Sequence, residues 1–533
     1  MKDIKLSYNK ILWTFCLILF SVSCENLLTE DPKGKLFSDT FFTNSADMDM
    51  ALNSLYFNVA QTLGQNNYTG LNLFGSDDIT THPSSNKGPL REFDQFQVAD
   101  NNSWMQTVWL QYWKIVKNAN FILNSVDKTP VSAEEIGYVK AQAAYWRAYA
   151  YFYLVRTWGK IPIMLEEEIN YESTLDSEQA VYDLIVADLK IAEGARVNYT
   201  SVPYQLNGRN IGVSQAAAKA TLAYVYMTMA GWPLNKGTEY YQMAAAKALE
   251  VIEGVENQTY NYSLLDEYWK VHSIEYNFNN PEVIIAAYYN RDRTANMSSL
   301  CDFPGDAKQG GWNDMCSEIK FWKDFPDGPR KEATYFPKLL LNDGILHDWW
   351  FDSDPPREMV APFYMKTAET SVRGAEFDYT ADIGAVQNGE KSHHIVRLSE
   401  VYCWYAEAVG RSGQINAKAI EVLNKVRNRA DGAVTNIYTS ISSADDLAEA
   451  AYNEHGWEIA GYYWGALASR YWDLFRMNRL KDHFEYRKLN PMIEVAPGVL
   501  RNEKVAVTGT WDDSKMYAPY PSKDVILNPN LKR

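Results

Sequence analysis

Apolar side chains recur along most of this chain at the spacing of amphipathic helices. Between residues 137 and 158, Ala144, Ala148, Tyr151, Val155 and Trp158 step by four and three, which lines one helical face. Tyr145, Tyr149 and Phe152 form a second stripe on the same segment, so this helix is expected to be buried on most sides. Gly159 is placed to end it, and Pro162 stands against restarting it. Ser214 suits the N-cap of a helix over residues 214–230 with the stripe Ala218, Leu222, Val225 and Met229. The small residues Ala216, Ala217 and Ala220 leave room for a close neighbour, and residues 239–253, with Ala244, Ala248 and Val251, follow as its partner. A further pair is predicted over 399–412 (Val401, Tyr405, Ala408) and 416–430 (Ala419, Leu423, Val426, Ala430), broken at Gly413 and closed by the turn Asp431-Gly432.

Helix, short break and helix, with small residues at facing positions, is the logic of tetratricopeptide-like pairs, here as degenerate repeats. Between the pairs the pattern changes. Residues 255–395 are dense in Gly, Pro, Asp and Asn, with one strand-like run from Glu282 to Tyr288. Residues 64–104 are a second loop-rich region, and 490–533 are irregular again. Long irregular segments on a rigid scaffold are where function concentrates.

Composition narrows the classes. The chain has 533 residues, a net charge of −16 and 14% aromatics. Length allows roughly two to four domains or one large fold. The acid excess argues against nucleic acid, whose phosphates need a basic face, and against charge-driven adsorption to anionic lipid. Tyr outnumbers Phe, and its polar tip suits half-wet surfaces. At the start, Lys2, Lys5 and Lys10 precede an apolar run from Ile11 to Phe20, which is the pattern of a signal peptide over residues 1–23. The run is too short to span a bilayer. Ser21-Val22-Ser23-Cys24 resembles a bacterial lipobox, so Cys24 is the expected lipidation site and 24–40 a lipid-anchored tether. Removing Lys2, Asp3, Lys5 and Lys10 takes the mature charge from −16 to −18. Of the remaining cysteines, Cys301 and Cys316 flank a Gly-rich loop and are close enough in sequence to pair, while Cys403 falls in a helical pattern and is expected in the core. No Cys–His spacing resembles a zinc site, and no metal or cofactor is expected.

A series of motifs in order resembles the SusD/RagB family. Phe41-Phe42, Asp47, Ala51 and Tyr56 are similar to its first-helix motif, and Trp109, Tyr112, Asn118 and Asn120 to its second. Arg147-Ala148-Tyr149-Ala150-Tyr151-Phe152-Tyr153-Leu154-Val155, followed by Trp158-Gly159-Lys160-Ile161-Pro162, is the most specific stretch. Val181 to Ile185 with Asp188-Leu189, then Arg397, Glu400, Tyr405 to Ala408 and Val426 to Ala430, continue the match. Glu454, Trp457-Glu458, Arg470 to Arg476, Pro519-Tyr520-Pro521 and Asn528 to Leu531 complete it. His455 stands where an arginine usually follows the glutamate, and the chain ends at Lys532-Arg533 without the family's usual Gln-Asn-Pro-Gly-Tyr.

The resemblance implies an all-α fold: a tetratricopeptide-like scaffold of four helix-pair units with a loop-rich lobe and a few short strands, in a single domain over 41–533. The scaffold helices would occupy about 105–255 and 396–485, and the ligand lobe about 64–104 and 256–395. It implies a lipoprotein on the extracellular face of the outer membrane. Such a protein binds an oligo- or polysaccharide and delivers it to a SusC-like TonB-dependent transporter, without catalysis. Arg147, Arg156, Glu407, Arg427, Asp473 and Arg476 lie on otherwise apolar helices and are expected to bridge them, because buried charges must be paired. Asp327 and Arg330 resemble a structural turn of the family.

A sugar site needs flat apolar faces for pyranose C–H surfaces and amide, carboxylate or guanidinium groups for hydroxyls. The loop candidates are Trp312 after Gly310-Gly311, Trp322, the pair Trp349-Trp350, and Tyr288-Tyr289. In the first loop region they are Tyr68, Asp78, His82, Asn86, Arg91 and Phe93. Two other functions are weighed against glycan capture: uptake of peptides or glycopeptides on the same scaffold, and glycoside hydrolysis by two carboxylates roughly 5–10 Å apart. No nucleophile elbow or zincin motif is present.

Overall fold

In a computed structural model the chain is described over residues 41–64, 71, 74–83, 87–168, 170–201, 203–289, 301–305, 308, 310–353, 356–357, 359–373, 377–379, 389–461 and 466–532. Cys24, Tyr68 and Asn86 lie outside these residues. The first helix, α1 (Ser45–Leu63), opens with a capping box: the Asn44 side chain accepts from the Ala46 and Asp47 N–H groups, and Asp47 accepts from the Asn44 N–H. After β1 (Ile79–Thr80) and α2 (Gly88–Asp94) come α3 (Ser103–Ser125), α4 (Ala133–Trp158) and α5 (Glu178–Ala192). Ser132 and Glu135 cap α4 reciprocally, and Gly159 ends it at φ +72°. A two-residue hairpin, β2 (Gln205–Leu206) and β3 (Arg209–Asn210), leads into α6 (Gln215–Ala230), capped by Ser214, and α7 (Thr238–Glu256).

The middle of the chain is built of short pieces: α8 (Trp269–His272), β4 (Val283–Ala287), β5 (Cys316–Ser317), α9 (Ile319–Asp324), α10 (Pro329–Thr334), β6 (Leu339–Leu340), β7 (Leu346–His347) and β8 (His393–Arg397). The scaffold then resumes with α11 (Leu398–Arg411), α12 (Ala417–Asp431), α13 (Ala444–Ile459), α14 (Arg470–Arg476) and α15 (Leu480–Leu489). A hairpin, β9 (Ile493–Ala496) and β10 (Val499–Arg501), and α16 (Ser522–Leu527) close the chain. Every sheet among the described residues is a two-stranded antiparallel ladder. The fold is all-α, as the periodicity predicts.

The helices pack as antiparallel neighbours: α3 on α4, α4 on α5, α6 on α7, and α11 on α7, α12 and α13. Residues 141–158 of α4 are buried without a break, which matches its two apolar stripes. Each fully buried Leu, Val or Phe contributes roughly 1.5–3 kcal/mol. Ala216, Ala217 and Ala220 of α6 are completely buried, so neighbouring backbones come close there.

The charges on these helices bridge them. Arg147 of α4 forks onto Asp188 of α5 at 2.7 and 2.8 Å and reaches Asn120 of α3 at 2.9 Å. Arg476 forks onto Glu407 of α11 at 2.6 and 2.8 Å and holds Asp473 at 2.9 Å. Arg156 bridges differently, donating to the Leu467 carbonyl at 2.9 Å and lying 4.3 Å from the Trp472 ring centre. Arg427 pairs with Asp431 of its own helix at 2.9 Å and reaches Glu454 of α13 at 3.8 Å. A larger cluster ties the middle segment to the scaffold. Arg397 meets Glu282 at 3.1 Å and Glu458 at 2.8 Å, Arg429 meets Glu282 at 2.7 Å, and Arg330 meets Glu454 at 2.6 Å and Glu458 at 3.1 Å. Burial alone would raise the Glu458 carboxyl, but Arg429, Arg397 and Arg330 outweigh it and hold the group below the usual carboxylate range. Arg330 is therefore structural, and Asp327 pairs at the surface with Lys331.

Cys301 and Cys316 are both buried free thiols. The Met315 N–H donates to the Cys301 carbonyl at 3.1 Å, so Cys301 lies across from 315, and the Cys316 sulfur approaches the Thr80 carbonyl at 3.7 Å. Neighbours along extended chain point to opposite faces, so the pairing allowed by their spacing is not made. Cys403 is in the core, as expected. No helix among the described residues is long and apolar enough to cross a membrane.

Candidate ligand-binding site

The two loop-rich regions of the sequence meet. Ile79 pairs with Ser317 and Thr80 with Cys316, so β1 and β5 join the first region to the second. On the second side, the segment before β5 doubles back tightly. The Asn313 N–H donates to the Phe303 carbonyl at 3.2 Å, and the Asn313 side chain accepts from the Gly305 N–H at 2.6 Å. A Cβ at Gly311 would sit 2.0 Å from the Phe303 carbonyl oxygen, so only glycine allows this approach. The turn lifts Trp312 out of the lobe, where its side chain is 39% exposed.

On the first side, α2 supplies Lys87 at its N-cap, with Pro89 in its first turn. The Lys87 ammonium lies 4.4 Å from the Trp312 ring centre, 5.9 Å from that of Trp104, and 3.8 Å from the Asp314 carboxylate. Asp314 is 2% exposed. Burial pushes its carboxyl up to about 7 against the opposing charge of Lys87. An indole face and an ammonium thus share one surface, and the Asp314 carboxyl is buried beside the ammonium. That pair offers C–H stacking together with a donor for hydroxyl oxygens.

Arg487 of α15 holds both sides in place. Fully buried, it meets Asp94 at 2.7 Å at the end of α2, Thr80 at 3.4 Å in β1, Glu318 at 3.1 Å after β5 and the Val505 carbonyl at 3.0 Å. Asp94 also accepts from Thr80 and from the Thr81 N–H and hydroxyl.

A second aromatic group forms where Trp322, Trp349 and Trp350 pack mutually, with ring centres 5.1, 5.3 and 5.8 Å apart. Trp322 and Trp350 are half-buried and Trp349 is buried. The Lys331 ammonium lies 4.6 Å from the Trp322 ring centre. Phe351 beside them is 37% exposed and stacks on His347 at 3.9 Å.

The remaining candidates divide by burial. Tyr288 and Arg91 are half-buried. Five candidates are interior and offer no face to solvent: Asp78, His82, Phe93, Tyr289 and Trp349. Asp78 accepts from the Ser76 hydroxyl at 2.6 Å and the Gly461 N–H at 3.0 Å, and burial, reinforced by Asp77, raises it to about 6. Tyr289 bonds to His393 at 2.9 Å across the β4–β8 ladder. These residues pack the loops onto the scaffold. Lys87, Trp104, Asp314 and Arg487 escaped the sequence reading. Trp104 opens a helix, Lys87 stands among turn residues, and Arg487 lies in a charged helix whose buried apolar stripe is only Leu480 and Phe484.

Residues 28–227 match a family model described as SusD-like, starch-binding associating with outer membrane, and residues 361–533 match the model of the SusD family. The chain belongs to the SusD/RagB family. Among relatives of the family, the SusD-like protein P25 of Formosa agariphila is 26% identical over 532 residues, covering 92% of this chain and 94% of its own. A SusD homolog from Bacteroides thetaiotaomicron superposes with a TM-score of 0.74 at 17% identity, covering 92% of this chain and 97% of that one. A structure described as a laminarin binding SusD-like protein superposes with a TM-score of 0.69 at 21% identity, covering 91% and 98%. At these identities the superpositions establish a shared SusD fold.

Proposed function

We propose that this protein captures glycan at the cell surface and presents it to a TonB-dependent, SusC-like outer-membrane transporter. The observation that carries the reading is Trp312, an exposed indole lifted by a glycine turn beside Lys87 and the buried Asp314 carboxyl. A shallow face of this kind suits a chain of linked pyranoses better than an enclosed substrate. Family membership and the likeness to a laminarin-binding relative support the ligand class. Half-buried Trp350, Trp322, Tyr288 and Arg91 remain candidates for further contacts, as do Tyr68 and Asn86 on the first loop region. Lipidation at Cys24 would hold the protein to the outer membrane, consistent with an acidic chain that needs no basic patch.

Binding without turnover is the expected behaviour. Affinity electrophoresis in gels containing laminarin, xyloglucan, starch or mannan reads the first, and release of new reducing ends from the same glycans reads the second. Retardation with no new ends supports the reading. New ends that disappear in Asp314→Asn would make the raised carboxyl a general acid and replace it with hydrolysis. Recovery of a large β-barrel protein with the tagged, lipidated chain tests the transporter. Retention of peptides with no glycan retained would favour peptide uptake.

A further inference from the structure

A cavity of about 500 Å³ lies away from Trp312, between the scaffold helices α13, α14 and α15 and the short helix α9. It shares no lining residue with the Trp312 face, and its volume falls within the roughly 300–1,000 Å³ usual for small-molecule sites. Phe321, Trp457, Leu474 and Tyr486 give it apolar walls. Four buried side chains that line it carry polar atoms with no hydrogen-bond partner: Tyr452 at Oη, Glu318 at Oε2, Arg470 and His483. Arg470 is 8% exposed and grips Asp77 through Nε and Nη2 at 2.7 and 2.9 Å, which leaves Nη1 without a hydrogen-bond partner. His483 is 7% exposed; the Ser76 backbone bonds its ring, and Nε2 has no partner. An unsatisfied buried donor or acceptor costs about 1–3 kcal/mol, so such atoms are normally met by water or a ligand.

Most of the charges around the cavity are paired, with exposed Asp482 in its lining the exception among the described residues. Arg470 is paired with Asp77, Lys320 with Asp324, Arg479 with Glu449 and Glu318 with Arg487. An anionic ligand would have to compete with these pairs and would be repelled by Asp482. What remains on offer is a guanidinium N–H donor, an imidazole nitrogen, the Tyr452 hydroxyl, a Glu318 carboxyl oxygen and flat apolar walls. Hydroxyls that both donate and accept, carried on a ring with C–H faces, match that set.

We propose that this cavity is a second ligand site, taking a neutral sugar of one or two pyranose units between Arg470 and His483. It stands whether or not the Trp312 face binds glycan, and the test reads the two separately. Saturation-transfer NMR and calorimetry with glucose, galactose, N-acetylglucosamine, maltose, cellobiose and lactose are run on a Trp312→Ala variant, so that only the cavity is scored. At least one sugar should bind with one site per chain. That binding should weaken at least tenfold in His483→Phe and in Trp457→Ala, and glucuronate and glucosamine should bind no better than glucose. Thermal melting checks that each variant folds; if His483→Phe does not, Trp457→Ala decides. The proposal is overturned if none of the six sugars binds the Trp312→Ala protein, if binding survives Trp457→Ala unchanged, or if a charged analogue binds best. Polysaccharide retention by His483→Phe should match the parent, whereas loss of retention in the parent itself would count against the Trp312 reading alone.

Discussion

His455 is the buried group on which pH should act most visibly. It is fully buried on α13, and it sits 2.6 Å from Asp473 and 3.8 Å from Glu400. Two contacts oppose each other. The Trp404 indole N–H donates to Nε2 at 3.1 Å, which suits a neutral ring, while the two carboxylates favour the imidazolium. A charge-assisted bond of the Asp473 type is about twice as strong as a neutral one. Burial disfavours the charge, yet Asp473 and Glu400 outweigh it and raise the imidazole from 6.5 to about 9. The folded chain therefore keeps a proton that the unfolded chain has released between those two values. The stability this supplies is complete below pH 6.5 and is lost as pH rises through about 9. At about 1.4 kcal/mol per pH unit, its ceiling is about 3 kcal/mol. Lys391, pushed down to about 7 by burial, titrates in the same window with the opposite sign. The quantity to follow is thus the difference between the parent and His455→Gln. Urea unfolding of both proteins at pH 6, 7.5, 9 and 10 gives that difference directly. The parent's advantage should be largest at pH 6 and shrink by about 3 kcal/mol by pH 10. A gap that stays constant across the series would refute the charged ring and assign His455 to the neutral bond with Trp404.

Replacing Arg487 by Met should cost about 3–5 kcal/mol in urea unfolding, because Asp94 and Glu318 are left buried without their shared cation. Gly311→Ala places a Cβ against the Phe303 carbonyl and should abolish glycan retention in affinity gels while the helical circular dichroism stays unchanged. Asp314 titrates at about 7 when folded and 3.8 when unfolded, so the folded state binds the extra proton and stability falls as pH rises between those values. Asp314→Asn should therefore be more stable than the parent at pH 8, by at most about 4 kcal/mol, and show no such gain at pH 4 in the same unfolding assay.

The scaffold was legible in the sequence because its signals are local. Stripes at steps of three and four, the Ser214 cap and the breaks at Gly159 and Gly413 each act within one helical turn of the residues they mark. The charged bridges were legible too, since an arginine such as Arg147 on an apolar helix has to find an acid. The proposed ligand face was only half legible. Gly310-Gly311 stands before Trp312, which the structure leaves 39% exposed. Whether Trp349, Tyr289 or Asp78 faces solvent depends on which distant segment covers it, as His393 covers Tyr289 from 104 residues away. The partners of Trp312 are equally remote in sequence, because Lys87 and Trp104 reach it only through the β1–β5 pairing and the Arg487 anchor.

Calorimetric titration of the parent and of Trp312→Ala with laminarin, xyloglucan oligosaccharides, maltooligosaccharides and manno-oligosaccharides tests the central claim most directly. The account predicts that at least one of these binds the parent without turnover and that Trp312→Ala, equally well folded, weakens it at least tenfold. Undiminished binding by Trp312→Ala, or no binding by the parent to any of the glycans, would contradict it.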